Sequence, residues 1–304
     1  MTFELTILGA TSATPTVGKH PTAQLLNYND QFYLIDCGEG TQVQLLRYDF
    51  KFNRINHIFI SHLHGDHYFG LLGLLFSMHL QKRTNDLHLY APRGLDEIIL
   101  THLKHSKSVL HYTLIFHPFE GNESVLLLDN EDITVTTIPM NHGILCCGFL
   151  FREKPKKLSI NKEKLPTNLP VPLILALKEG EDIFFEGKLI RNEELTLPSK
   201  PLRSYAFCAD TKYTERIIPQ IQNVGCLYHE ATFTEDLAHR IEEGTYHSTA
   251  KQAAMIAKKS NAKQLIIGHF SVRYGDLNVL LQEAKEVFEN TVLAVEGQTY
   301  QITP

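Results

Sequence analysis

The chain has 304 residues, enough for one large domain or two small ones with a sizeable core. Its 43% hydrophobic and 21% charged residues are ordinary for a globular protein. No apolar run is long enough to span a bilayer, and residues 1–8 show no secretory signal, so a cytoplasmic protein with no membrane part is expected. A net charge of -5 excludes a coat of basic residues for nonspecific nucleic-acid binding, and five cysteines without a C-x-x-C pair exclude a disulfide framework.

Residues 3–8 read as a strand, followed by a Gly/Thr/Ser/Pro-rich loop over 9–21. Two more apolar runs, 23–26 and 31–35, flank Asn29-Asp30, which predicts a hairpin turn. Residues 55–60 read as a buried strand, 71–80 as a helix, 87–90 as a strand and 94–103 as a helix. Residues 133–138 alternate as a strand again. Late in the chain, 204–208, 226–228 and 265–267 are short strands, and 249–259 is helical. Strands with interleaved helices point to a layered α/β domain. The segment 152–201 departs from this pattern. It holds six of the thirteen prolines, and 152–164 carries six basic against two acidic residues. Prolines 166, 170 and 172 are expected to prevent a regular helix there, and the segment reads as an inserted flexible arm.

The residues that carry chemistry follow the strand 55–60 as Ser61-His62-Leu63-His64-Gly65-Asp66-His67. Three imidazoles and a carboxylate this close would crowd and desolvate one another without a cation between them. Borderline nitrogen donors with one hard oxygen suit zinc. Four ligands from one loop can serve two metals but complete neither shell. His142, Asp210 and His269 each follow a strand, and strand ends at one edge of a sheet converge. The reading is therefore His62, His64 and His142 on one metal, and Asp66, His67 and His269 on the other. Asp210 stands between them, because a carboxylate neutralises two close cations better than an imidazole does.

The 61–67 stretch resembles the metal motif of the metallo-β-lactamase superfamily. That resemblance implies an αβ/βα four-layer sandwich, two β-sheets face to face with helices outside, as a single domain over 1–304. Asp36-Cys37-Gly38-Glu39-Gly40-Thr41-Gln42, His229-Glu230-Ala231-Thr232-Phe233, His247-Ser248-Thr249 and His269-Phe270-Ser271-Val272-Arg273-Tyr274 resemble ribonuclease Z, the tRNA 3′-processing endonuclease, in the order of its short bacterial form. The resemblance implies two zinc ions per chain, precursor tRNA as substrate and a homodimer. It also implies that the arm at 152–201 is a protruding exosite for the tRNA elbow. The chain departs from the family's usual pattern in two places. The arm carries Asn168-Leu169-Pro170-Val171-Pro172 where a glycine-proline motif is usual. The loop 15–21 lacks the basic motif used to reject a mature CCA end, which leaves the treatment of CCA-containing precursors open.

Two adjacent metal ions can activate a shared water and polarise a phosphate oxygen. Asp66 can accept that water's proton, the base role the resemblance also assigns it. His247, at the start of a helix that Ser248 or Thr249 can cap, is the candidate for assisting the phosphate or the leaving 3′-oxygen. The resemblance suggests that Glu230 orients His247, and it places Ser271 and Arg273 at positions that touch substrate RNA. Asp36 and Glu39 are expected to support the site without ligating. Two alternatives are a small-molecule phosphodiesterase of the same superfamily, against which the arm speaks, and a catalytically inactive RNA-binding relative, against which the full ligand set speaks.

Overall fold

The computed structural model describes residues 2–121, 123–239 and 241–304, and the chain divides into two compact units. The larger holds residues 1–129, 134–152 and 203–304. Its first sheet has seven strands in the order Thr299–Gln301, Phe3–Gly9, Ala23–Tyr28, Gln31–Ile35, Ile55–Phe59, Leu87–Pro92 and Leu114–Phe119. Pairing is antiparallel up to Gln31–Ile35 and parallel from there on. The Asn29-Asp30 turn has φ of 47° and 67°. Left-handed backbone at both central positions matches the twist of the strands it joins.

The second sheet runs Thr291–Leu293, Gln264–Gly268, Cys226–Glu230, Ser204–Cys208, Cys147–Glu153, Ile133–Pro139 and Leu126–Asp129. Its first four strands are parallel, and the three inside the edge strand are buried on both faces, so they read as continuous apolar runs rather than alternating ones. The inner faces of the sheets meet through aromatic rings. Phe59 lies 5.4 Å from both Phe149 and Phe151, and Tyr33 lies 6.0 Å from Phe151. Helices cover the outer faces. Leu45, Leu71, Leu74, Leu75, Leu95 and Ile99 pack onto Leu34, Ile58 and Leu89 of the first sheet. Helices Ala250–Lys259 and Asn278–Lys285 pack beside strands Gln264–Gly268 and Thr291–Leu293 of the second. This is the four-layer αβ/βα sandwich expected from the 61–67 motif.

The strand Cys147–Glu153 went unread in the sequence because it lacks a two-residue period. At Gly148 a Cβ would stand 2.0 Å from the Phe207 carbonyl oxygen, so glycine is what lets this strand lie against Ser204–Cys208. The helix Thr41–Arg47, seven residues behind a left-handed Gly40, was too short to show a helical period.

The second unit holds residues 130–133 and 153–202. Leu169, Leu177, Ile183 and Leu195 are buried at its centre. The prolines do not exclude a helix there. Val171–Lys178 is helical, with Pro170 as its N-cap and Pro172 in its first turn, where no intrahelical N–H bond is lost. The strands Ile183–Phe185 and Lys188–Ile190 form a hairpin around Glu186 and Gly187, both at positive φ. Its paired Phe184 and Leu189 are 67% and 66% exposed.

Candidate active site

The parallel strands of both sheets end in the loops that carry the polar cluster. After Ile55–Phe59 the chain turns within six residues into the short helix Gly65–Tyr68. His62 and His64 precede this helix and Asp66 and His67 lie inside it, which separates the four side chains into two groups. His142 comes after Ile133–Pro139, Asp210 after Ser204–Cys208, and His269 directly after Gln264–Gly268.

All seven side chains meet in two cages on either side of Asp210. In one, His64 Nδ1 lies 3.0 Å from His62 Nε2 and 3.1 Å from His142 Nε2, while Asp210 Oδ2 stands 3.7 and 4.0 Å from those two nitrogens. In the other, Asp210 Oδ1 lies 3.4 Å from His67 Nε2 and 3.2 Å from His269 Nε2, and Asp66 Oδ2 lies 3.6 Å from each. Tetrahedral zinc with bonds of about 2.0–2.1 Å keeps neighbouring donors about 3.3–3.4 Å apart. The edges given above bracket that spacing, from 3.0 to 4.0 Å in the first cage and from 3.2 to 3.6 Å in the second. His67 Nε2, His269 Nε2 and Asp210 Oδ1 are moreover buried without a hydrogen-bond partner, a costly state unless a cation satisfies them. The donor set and its spacing fit a metal centre.

Four of the imidazoles are fixed from behind through Nδ1, which leaves Nε2 directed into the cages. His67 Nδ1 donates to Asp36 Oδ2 at 2.7 Å. Ser61 donates its N–H and hydroxyl to the same carboxylate, and its Oγ stands 3.0 Å from His62 Nδ1. Thr232 Oγ1 stands 3.1 Å from His269 Nδ1, and the Tyr246 carbonyl stands 3.2 Å from His142 Nδ1. Asp36, Tyr246 and His269 hold φ near 56°, 54° and 59°, so part of this geometry rests on left-handed backbone that the surrounding contacts maintain. Sequence reasoning found Asp36 as a support but gave Ser61, Thr232 and Tyr246 no role. Ser61 and Thr232 stand inside the quoted motifs, whereas a backbone carbonyl leaves no mark in a sequence. Glu39 is exposed.

Charge is balanced accordingly. Burial and the neighbouring imidazoles, His67 above all, hold His62 well below the usual histidine range, and burial also lowers His142. Neutral imidazole is the form that binds metal. Burial disfavours the charge on His67, but Asp210 and Asp36 outweigh it and raise its proton affinity, so positive charge is favoured between these carboxylates. Burial pushes Asp66 up, but its contact with His269 and the charges of His67 and His269 outweigh this and keep it ionised. The Ala13 N–H donates to Asp66 Oδ2 at 2.8 Å.

Beside the cages, His247 Nδ1 donates to Glu230 Oε1 at 3.0 Å. Burial lowers the His247 pKa, but the Glu230 charge, this hydrogen bond and Asp210 raise it to about 9. Thr249 caps the helix Ala250–Lys259 by accepting from the Gln252 N–H, and Ser248 donates to the Thr211 carbonyl at 2.6 Å. Capping is thus done by Thr249 alone of the two candidates. A cleft of about 520 Å³ opens over the second cage and includes His64, Asp66, Asp210, His247, Ser271 and Arg273 in its lining. The exposed Arg273 guanidinium stacks over Phe233 at 5.1 Å.

Residues 3–157 match the family model described as Anti-Pycsar protein Apyc1. The human short-form tRNase Z structure superposes with a TM-score of 0.72 at 26% identity, covering 99% of this chain and 100% of that one. A metallo-β-lactamase fold protein from Bacillus subtilis superposes at 0.69 with 19% identity over 99% of this chain and 100% of that one, a likeness of fold. The Ribonuclease Z of Bacteroides thetaiotaomicron is 48% identical over 99% of this chain and 95% of its own length. That of Cytophaga hutchinsonii is 48% identical over 100% and 97%. Identity this high along whole chains, around a cluster built as a metal site, makes this protein a member of the ribonuclease Z family.

Proposed function

We propose that the protein is a zinc-dependent endoribonuclease that removes the 3′ trailer from precursor tRNA by hydrolysing one phosphodiester bond, leaving a 3′-hydroxyl on the tRNA. The observation that carries this reading is the double cage with the His247–Glu230 pair beside it, in a chain of the ribonuclease Z family. His62, His64 and His142 would hold one zinc ion and Asp66, His67 and His269 the other, with Asp210 bridging. Bound there, two zinc ions supply Lewis acidity toward a phosphate oxygen and lower the pKa of water.

The protein's own groups do the remaining work. Asp66, ionised and steadied by the Ala13 N–H, accepts the proton of the attacking water. His247, kept protonated by Glu230, hands a proton to the leaving 3′-oxygen. Ser271 and Arg273 line the cleft and contact the RNA backbone, the arginine by paired hydrogen bonds to a phosphate. The arm at 152–201 grips the folded body of the tRNA. Its separate core, the basic stretch 152–164 and the exposed Phe184–Leu189 pair support that role. Among the described residues no helix is long and apolar enough to cross a membrane. A site of action in the cytoplasm follows from the substrate. A homodimer is supported by the exposed apolar Val43, Leu46 and Leu80 on the helices Thr41–Arg47 and Leu71–Leu80.

The test is incubation of purified protein with a labelled precursor tRNA, with the cut mapped. Cleavage at the start of the trailer, abolished by a chelator, restored by zinc and absent in Asp66→Ala, is the expected result. Equal processing by wild type and Asp66→Ala, or by neither, overturns the reading.

A further inference from the structure

Phe69 has no part in either cage, yet its ring lines the same cleft as His64, Asp66, His247 and Arg273. It is 64% exposed. The Phe69 N–H closes the short helix onto the Gly65 carbonyl at 2.8 Å, and the ring folds back over Gly65. A Cβ at position 65 would stand 2.2 Å from two ring carbons, so the glycine in the ligand loop is what makes room for the ring there. The Tyr68 ring meets it edge-on at 5.1 Å. An aromatic ring left in water forgoes the stabilisation that burial gives.

We propose that Phe69 is the stacking platform for a nucleobase flanking the scissile phosphate. The inference rests on the reading of this cleft as a ribonuclease site. The other exposed residues of the lining are His64 and Arg273, which suit metal and phosphate, and the small Ala13 and Thr245, while Phe233 is buried. Phe69 offers a flat apolar face with no donor or acceptor, and the part of an RNA strand that matches such a face is a base. Stacking on a ring without hydrogen-bonding groups tolerates any base. That suits an enzyme whose precursors differ in sequence around the cut, and it holds the single-stranded 3′ end in line while His247 and Asp66 act.

The test is steady-state cleavage of a precursor tRNA by wild type, Phe69→Ala, Phe69→Leu and Phe69→Tyr, repeated with an abasic nucleotide placed on either side of the cut. A base–aromatic stack implies a KM about tenfold higher for Phe69→Ala and Phe69→Leu, with kcat changed much less and Phe69→Tyr close to wild type. At one of the two positions the abasic substrate should cost wild type a similar factor and Phe69→Ala nothing further, since the two changes remove the same contact. The proposal is overturned if Phe69→Leu matches wild type, or if the two losses multiply at both positions. It also fails if Phe69→Ala loses its oligomeric state in light scattering in step with its KM, because a second copy then covers the ring. Should Phe69→Ala not fold, the Phe69→Leu and Phe69→Tyr pair decides. Wild-type protein that cleaves no precursor at all sinks the ribonuclease reading and this proposal with it.

Discussion

Glu230 holds His247 with one carboxylate oxygen, at 3.0 Å, and Thr232 with the other, at 2.8 Å; Thr232 in turn meets His269 Nδ1. One fully buried carboxylate therefore orients both the proposed proton donor and a cage imidazole. Replacing His247 with alanine removes the donor and leaves both cages intact. A loss of about 10²–10⁴ in kcat is expected at unchanged zinc content, the usual scale for a positioned acid. Glu230→Gln should lower kcat and also weaken zinc binding through Thr232, a double effect that His247→Ala should lack. Single-turnover rates alongside metal analysis separate the two variants. Equal zinc loss in both would contradict the division of labour.

Asp36 lies behind the second cage. It accepts hydrogen bonds from His67 Nδ1 and from both donors of Ser61, so it also reaches His62 through the serine hydroxyl. Asp36→Asn keeps the size but removes the charge that favours a cation there. Zinc affinity should fall about 10–100-fold, the usual effect of losing a carboxylate behind a metal-binding histidine. Competition against a chromophoric chelator measures it, and an unchanged affinity would refute the role.

Arg152 and Ser204 are paired in antiparallel register at the two chain ends that flank the second unit. A short glycine-containing turn can therefore replace residues 153–202 and leave a hairpin. That deletion should abolish cleavage of precursor tRNA while sparing turnover of bis(p-nitrophenyl) phosphate. Equal loss of both activities would contradict the tRNA-gripping role of the arm.

Away from the cages, Tyr33, His57, His88 and His117 stack across four strands at 5.4, 5.0 and 5.1 Å between neighbouring rings. Burial, then the His88, His117 and Arg83 charges, lower the His57 pKa to about 4. The unfolded chain takes up this proton near pH 6.5, well before the folded one does. The contribution of neutral His57 is thus fully present above about pH 6.5 and is lost as pH falls toward about 4. After discounting for partial exposure it amounts to roughly 1–3 kcal/mol. Urea melts at pH 7 and pH 5 should show a smaller acid-side loss in His57→Phe, which keeps the stack, than in wild type. Identical losses would refute the assignment.

The seven side chains that meet in the two cages could be singled out in the chain because metal chemistry limits the side chains that can serve. They stand in a dense motif or just after strands that hydrophobic pattern reveals. The same pattern located most strands of both sheets, since alternation and apolar runs follow from which faces are buried. The prolines of the arm misled because their effect depends on position: at an N-cap and in a first turn they begin a helix, and in its interior they would end one.

The sequence by itself determined which residues can bind metal and which stretches become strands and helices, because composition and local period are properties of the chain. Tertiary structure alone decided which oxygen of Asp210 faces which cage, and that Phe69 lies in the cleft wall. It alone enlisted the Ala13 N–H and the Tyr246 carbonyl, the latter 104 residues from its histidine. Backbone groups are the same at nearly every position, so only strand order and the left-handed turns at Ala13 and Tyr246 give these two their roles.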